Sequence, residues 1–406
     1  MGENGEIFPD DVMIDILKRL PVKSLMRFKC VSKNWANLFR TPHFTAQHLR
    51  HSIQNRFLLL QRIQRSPTSP VCSTPTSFCL IGPDLSVHEL EFLNFASNGA
   101  KIVGSRNGLL CLRHTDHALS ICNPATRQVT QVPRTLTDVR TLYYFGFGYS
   151  PLVNDYKIVR ICVCESYESD DDDDNEGNDG IVVLDDIHVN QVEVYSLASG
   201  SWRQVDASNL QNLCLVSNAI AAGGGMFWKA TTSSELESSQ DPDECLVSFD
   251  IGHDIFRLLR GPESHPLPTT YSSTSVLAEY NDKLVMFHQF MMGNFHNFMM
   301  VNGESSLIDL WVLDNTHTYA AEGERWIKRY RVGPFSRIVY PISIWRDQIV
   351  CHRLLEHVDE SGLVKTTLSI LNPYSRELKN LPAHRNENYY VSFNYAESLA
   401  CSKHSA

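Results

Sequence analysis

Two histidines and a glutamate fall within six residues at His352-Arg-Leu-Leu-Glu-His357, a set that could ligate zinc. The spacing fits neither H-E-x-x-H nor H-x-x-E-H. The preceding Ile349-Val350-Cys351 reads as a strand, so structural histidines are expected. The run Asp170 to Asp174 suggests a calcium loop. Counted from Asp172, its sixth place is Gly177, but its twelfth is Val183 where a bidentate Glu is needed. A solvated, disordered acidic insertion over 166–180 is the expectation, with a steering role for a basic target left open. Gly146-Phe-Gly148 lacks the third glycine and following helix of a dinucleotide site. Gly223-Gly-Gly225 before Met226-Phe-Trp228 reads as a double-glycine entry to an inner strand rather than a phosphate cradle. Cys162-Val-Cys164 alternates as a strand does and would send its sulfurs to opposite faces. Neither a G-x-S-x-G elbow nor a G-x-x-x-x-G-K-[ST] loop occurs. No catalytic residue, cofactor or metal is expected.

The elements that would hold such residues come next. At 406 residues, 43% hydrophobic and 20% charged, the chain is long enough for one small and one large domain. No apolar run spans a membrane, and the acidic start MGENGEIFPDD is unlike a secretory leader. A cytoplasmic or nuclear location is expected, with the eleven cysteines as buried thiols. Pro9 to Arg40 carries a net +4, Glu3 and Glu6 contribute −2, and the remainder carries −12 of the total −10. A basic head on an acidic body argues against nucleic acid as partner and suits an acidic protein.

Residues 8 to 45 read as three short helices. Pro9-Asp10-Asp11 starts the first, with Val12, Met13, Ile16, Leu17 and Leu20 at helical spacing until Pro21. Ser24 is expected to cap the second, presenting Leu25, Phe28 and Val31. Ser32 would cap the third, with Trp35, Leu38 and Phe39, stopped by Pro42. So much apolar surface on three short helices makes a poor stand-alone core and calls for a partner.

Beyond about residue 55 short apolar runs alternate with Gly, Pro, Asn and Asp turns, an all-β texture. LSICNPATRQVTQVP (119–133) aligns without gaps on LSILNPYSRELKNLP (368–382), and looser copies start at 192, 245 and 307. Units of this kind 40 to 70 residues apart predict a β-propeller of about six blades, six to eight at most. YYVSFNYAESLA is expected to close the ring on FLLLQRI. Trp202, Trp228, Trp311, Trp326 and Trp345 are expected in blade cores.

FPDDVMIDILKRLPVKSLMRFKCVSKNWANLFRTPHF closely resembles an F-box, with Phe8 replacing the usual first Leu. GSRNGLLCL, the Asn-Pro-x-Thr-Arg turn at 123–127, FGFGYSPLVNDYKIVRI and WRQV resemble the F-box-associated, kelch-like domain of plant F-box proteins. The S-locus-like branch of that family is also similar. The resemblance implies a mostly β chain with a small helical N-terminal domain. Its divisions would be 1–7 flexible, 8–45 F-box, 46–56 linker, 57–400 propeller and 401–406 tail. It also implies a target-recognition subunit of an SCF-type ubiquitin ligase. The F-box would bind a Skp-type adaptor, and through it a cullin scaffold. Phe8, Pro9, Val12, Ile16, Leu17, Leu20, Pro21, Val22, Leu25, Phe28, Val31 and Trp35 would form or support that contact.

Target contacts are expected on propeller loops, with 166–180, 231–243, 289–305 and 315–325 as candidates and no single residue assigned. Two other classes remain open at this point: a scaffold outside any ligase, and an enzyme with residues converging at the ring's axis. The helices folding back on the propeller as a cap is the competing reading of the head.

Overall fold

The computed structural model describes residues 9–66, 69–93, 100–135, 142–165, 187–232, 244–262, 271–292, 305–314, 325–336, 338–358, 364–382 and 389–401. Phe8 and the stretch 166–180 lie outside them.

Four helices come first: α1 (Asp10–Leu17), α2 (Val22–Phe28), α3 (Lys33–Leu38) and α4 (Pro42–Gln54). Pro42 does not stop the helical region as expected. It takes the first position of α4, where a missing N–H costs nothing, and the Thr41 hydroxyl accepts the Phe44 N–H. Most of 46–56, expected as a linker, is therefore helix.

Among the described residues twenty-five strands follow, in six sheets. The first blade holds β1 (Phe57–Ser66), β2 (Ser69–Ile81) and β3 (Val87–Glu89); the second holds β4 (Lys101–Arg106), β5 (Leu109–Arg113), β6 (Leu119–Asn123) and β7 (Gln128–Gln131). The third holds β8 (Leu142–Ser150), β9 (Asp155–Glu165), β10 (Ile187–Ser196) and β11 (Ser201–Gln204). The fourth holds β12 (Leu213–Leu215), β13 (Ile220–Ala222), β14 (Gly225–Thr232), β15 (Cys245–Asp250) and β16 (Ile255–Arg260). The fifth holds β17 (Tyr271–Tyr280), β18 (Lys283–Met292), β19 (Ser305–Asp314) and β20 (Arg325–Phe335). The sixth holds β21 (Val339–Trp345), β22 (Gln348–Val358), β23 (Val364–Leu371) and β24 (Leu378–Asn380). The last strand, β25 (Tyr389–Tyr395), returns to the first blade and pairs antiparallel with β1, from Phe57↔Tyr395 to Ile63↔Tyr389. The innermost strands β4, β8, β13, β17, β21 and β25 each pack on the next, which closes the ring. The fold is a six-bladed β-propeller with its few helices at the N-terminus.

The gapless repeat is the hairpin of third and fourth strands in blades two and six. Asn123 accepts the Ala125 and Thr126 N–H groups, and Asn372 accepts those of Tyr374 and Ser375. Arg127 and Arg376 both take φ 59°, and the same bond closes each hairpin, Val132 N–H to Leu119 and Leu381 N–H to Leu368. Asp250 with Asp254 repeats the turn in blade four. An Asx side chain that satisfies two backbone donors, followed by a left-handed residue, explains why this motif survived when the strands diverged.

The small residues in GSRNGLLCL and AAGGGMFWKA precede the second strands of blades two and four. They make the tight turns between first and second strands, with positive φ at both Asn107-Gly108 (50°, 79°) and Gly223-Gly224 (55°, 77°). Two such residues are what a type I′ hairpin requires. The strands that follow, β5 and β14, are second strands. Close approach occurs at Gly104 in β4, where a Cβ would lie 3.1 Å from Phe147 Cβ, and more tightly at Gly146 in β8, where a Cβ would lie 2.7 Å from both Met226 Sδ and Trp228 Cζ2 of the next blade. Gly146-Phe-Gly148 is thus a packing motif between blades three and four.

Indole groups add polar ties. Trp202 and Trp326, half-buried on the outermost strands, donate from Nε1 to Pro133 O (2.7 Å) and Arg260 O (2.9 Å) of the preceding blade. Trp228 and Trp345 are buried in blade cores, and Trp311 is half-buried under Lys328. Replacing Gly146 by Val should cost about 1–3 kcal/mol through overpacking against Trp228 and Met226, read as a lower denaturation midpoint in urea.

The candidate partner-binding head and its attachment

A small apolar core holds the helices together. Leu17, Leu25, Phe39 and Phe44 are buried, and Met13, Leu20, Phe28, Trp35 and Leu38 pack around them. The Ser32 hydroxyl caps α3 through the Trp35 N–H, as expected. Ser24 caps nothing: it lies inside α2, which starts at Val22 behind Pro21. Proline offers no side-chain oxygen for the first amides, and Glu397 Oε2 accepts the Val22 N–H at 2.9 Å instead. A carboxylate at a helix N-terminus is also favoured by the helix dipole.

Glu397 belongs to a strap that follows β25. Leu399 packs on the head's core, while Ala400 packs on the blade-two and blade-three core. Asn123 donates to both Ser398 O and Ala400 O at 2.9 Å, fixing the strap to the third strand of blade two. On the other flank Arg56, just past α4, donates to Asn281, and its carbonyl accepts from Trp345 Nε1 at 3.0 Å. The head is thus attached to the ring at two places, from both ends of the chain.

The twelve residues expected at an adaptor contact divide. Phe8 lies outside the described residues. Leu17, Val22 and Leu25 are 2%, 0% and 0% exposed, so they hold the head together and cannot themselves be contact surface. Leu20, Phe28 and Trp35 are half-buried at its margin. Pro9 and Pro21 are exposed, as are Val12 (42%), Ile16 (49%) and Val31 (74%). Lys23, Arg27, Lys33 and Arg40 are exposed among them. Capping by the ring accounts for part of the apolar surface and leaves this set open. Ile53 on α4, 44% exposed, is a further apolar residue that the reading of 8–45 missed because it lies beyond that range.

The other chemical candidates resolve as structure. His352 is buried on β22, a strand rather than a zinc helix. Among the described residues no three His, Cys, Asp or Glu side chains are grouped to hold a metal, and no helix is long and apolar enough to cross a membrane. Cys79, Cys111, Cys122, Cys162, Cys214 and Cys351 are unbridged, and burial pushes the thiols of Cys122 and Cys351 up to about 12, away from nucleophilic thiolate. At one end of the ring's axis Arg106 pairs with Asp282 of the facing blade, and Asp282 also accepts the Gly223 N–H. Asn394 bridges Glu279 and Ile344 O beside them.

A model of the F-box domain matches residues 6–47, and one of the F-box associated beta propeller domain matches residues 73–338. The second match covers more than half of the chain. The chain belongs to the F-box proteins with an F-box associated beta propeller domain. Its relatives include two Arabidopsis thaliana proteins. F-box protein At3g07870 is 24% identical over 98% of this chain and 93% of its own length. F-box protein At5g65850 is 27% identical over 82% and 72%. An oligogalacturonate lyase of Vibrio parahaemolyticus aligns over 80% of each chain at 9% identity and a TM-score of 0.42, too distant to bear on activity.

Glu397→Ala should free the Val22 amide, speeding its hydrogen exchange and costing the head about 1 kcal/mol without unfolding the propeller. A second expectation concerns pH. His48 on α4 is 1% exposed, and its Nε2 binds Leu20 O at 3.1 Å. Burial lowers its pKa below the ordinary 6.5, against smaller opposing effects of the Leu20 carbonyl and Glu397. The unfolded chain therefore takes up the proton first. Stability is intact above that ordinary value and is lost as pH falls through it. Melting curves from about pH 8 to about pH 5 should show this slope in the wild type and a flatter one in His48→Gln.

Proposed function

We propose that this chain is the target-recognition subunit of an SCF-type ubiquitin ligase. The head binds a Skp-type adaptor, and through it a cullin scaffold, while the propeller holds a protein that is ubiquitinated and degraded. The observation that carries the reading is the exposed set Val12, Ile16 and Val31 beside a core already sealed by Leu17, Leu25, Phe39 and Phe44. In a member of the F-box proteins, apolar side chains left open on a finished core are suited to a protein partner. The surrounding cations favour an acidic one during encounter.

The adaptor contact is assigned to Pro9, Val12, Ile16, Pro21 and Val31, with Leu20, Phe28 and Trp35 at its edge and Phe8 ahead of it. Leu17, Val22 and Leu25 support it from within. The head runs through α4, and the propeller takes up the chain at residue 57. Such a subunit needs no catalytic side chain. It raises the effective concentration of a target lysine near the charged ubiquitin carrier. It would work in the cytoplasm or nucleus. The S-locus-like likeness assigns no residue to a target.

The target loops expected at 166–180, 231–243, 289–305 and 315–325 lie almost wholly outside the described residues. The described strands flanking the first three are second and third strands of their blades, and those flanking the fourth are third and fourth strands.

Co-expression with a Skp-type adaptor tests the reading. Wild type should co-purify with it. Ile16→Asp and Val31→Asp should each weaken the complex by about 2 kcal/mol, roughly thirtyfold, with melting unchanged. Leu25→Asp should instead unfold the head. A complex of undiminished affinity in the Ile16→Asp, Val31→Asp double variant would refute the assignment.

A further inference from the structure

A cleft of about 370 Å³ opens between blades five and six. Asn281, at its edge, is the residue held by Arg56, so the cleft lies on the face that carries the head. Its floor is apolar: Leu310 and Val312 from one blade, Ile344 and Ile349 from the other, each at most 4% exposed as residues. Its walls are three tyrosines. Tyr280 donates to Asp347 at 2.7 Å, and Tyr330 donates to Tyr374, the two rings meeting edge to face with centroids 5.2 Å apart. Tyr374 is 73% exposed, although nothing in the β-hairpin geometry requires a large aromatic there.

The rim is cationic. Lys283 and Arg329 line the cleft, are exposed, and form no ion pair among the described residues. The lining also holds Asp347, which accepts from the neutral Tyr280 hydroxyl and keeps its own charge, so the lining as a whole carries a net +1. The cleft thus places two exposed cations at the rim of an apolar, tyrosine-walled floor, in a chain whose charge beyond the head is strongly negative. Burial and Asp347 hold the Tyr280 hydroxyl up at about 12, so it stays a neutral donor across the physiological range.

We infer that this cleft binds a short peptide segment of the target, one bulky apolar side chain seated between the tyrosines and an adjacent anionic group on Lys283 and Arg329. The inference rests on the reading that the propeller holds a protein target. The volume admits one or two side chains rather than a folded domain. Tyrosine walls provide large contact area with little side-chain entropy to lose. The anion can be a carboxylate or a phosphate, since Arg and Lys take both.

The test uses the full chain bound to its adaptor and short synthetic peptides read by fluorescence anisotropy. A central Leu, Phe or Trp is flanked by Glu, by phosphoserine, by Ser or by Lys. Glu- or phosphoserine-flanked peptides should bind, and which of the two binds better identifies the anion; Ser- and Lys-flanked ones should bind about tenfold more weakly or not at all. Lys283→Glu with Arg329→Glu should abolish the preference, and Tyr374→Ala should weaken every binder, both with adaptor co-purification and melting unchanged. Equal binding of all peptides, or acidic binding that survives the double reversal, overturns the inference. A chain that holds its adaptor yet binds no peptide overturns this site alone. A chain that binds acidic peptides but no adaptor sustains the site and overturns the ligase reading.

Discussion

The antiparallel pairing of β25 with β1 is the constraint on which the rest depends. A propeller whose first blade is incomplete leaves an open strand edge and an uncovered blade face. Here the strand that supplies the missing edge comes from the far end of the chain, and seven consecutive residue pairs fix its register. That register sets Tyr395 opposite Phe57. The chain therefore leaves the ring beside the point where α4 enters it. Residues 397–400 then have nowhere to run except along the head, and Glu397 and Leu399 become part of it.

This has a consequence for the head's stability. Four short helices with a core of four buried residues would be marginal alone. Leu399 extends that core, and Glu397 satisfies an amide that Pro21 leaves without a cap. Because Asn123 holds the same strap, the head is bonded to the ring through the strap and again through Arg56. Two separated attachments resist rotation in a way that a single linker does not. For a bridging subunit, that rigidity sets how far a bound target stands from whatever the head holds, and a fixed span gives a higher effective concentration than a flexible one of the same length.

Much of the architecture was legible because it rests on local chemistry. The Asn-Pro turns at 123 and 372 reproduced the same hydrogen bonds that their shared letters suggested, and the ring's closure followed from unpaired apolar strands at both ends. Six blades emerged where decay of the repeats had left six to eight open. What was not legible was partly long-range and partly local ambiguity. Ser24 looked like a cap because the true acceptor lies 375 residues away. The linker at 46–56 looked irregular because Pro42 reads equally as a stop or as a first helical residue. The glycines at 108 and 224 read only as entries to strands, because the two consecutive positive φ values that make them hairpin turns are a property of the folded backbone. The cleft between blades five and six was invisible, since its tyrosines, Tyr280, Tyr330 and Tyr374, come from three separate segments of two blades.

The division within the head has a pattern that sequence spacing can carry, once it is looked for. Along α1, Met13 and Leu17 are four residues apart and turn inward, while Val12 and Ile16 are also four apart and turn outward. A helix of a self-sufficient domain has one apolar stripe and a polar opposite face. In α1 the second stripe, Val12 and Ile16, is left open by the head's own core, and exposed Lys and Arg side chains stand on the neighbouring α2 and α3. The exposed apolar residues of α1 are thus distinguished from those of the core by which of two interleaved i, i+4 series they belong to, and not by their chemical type.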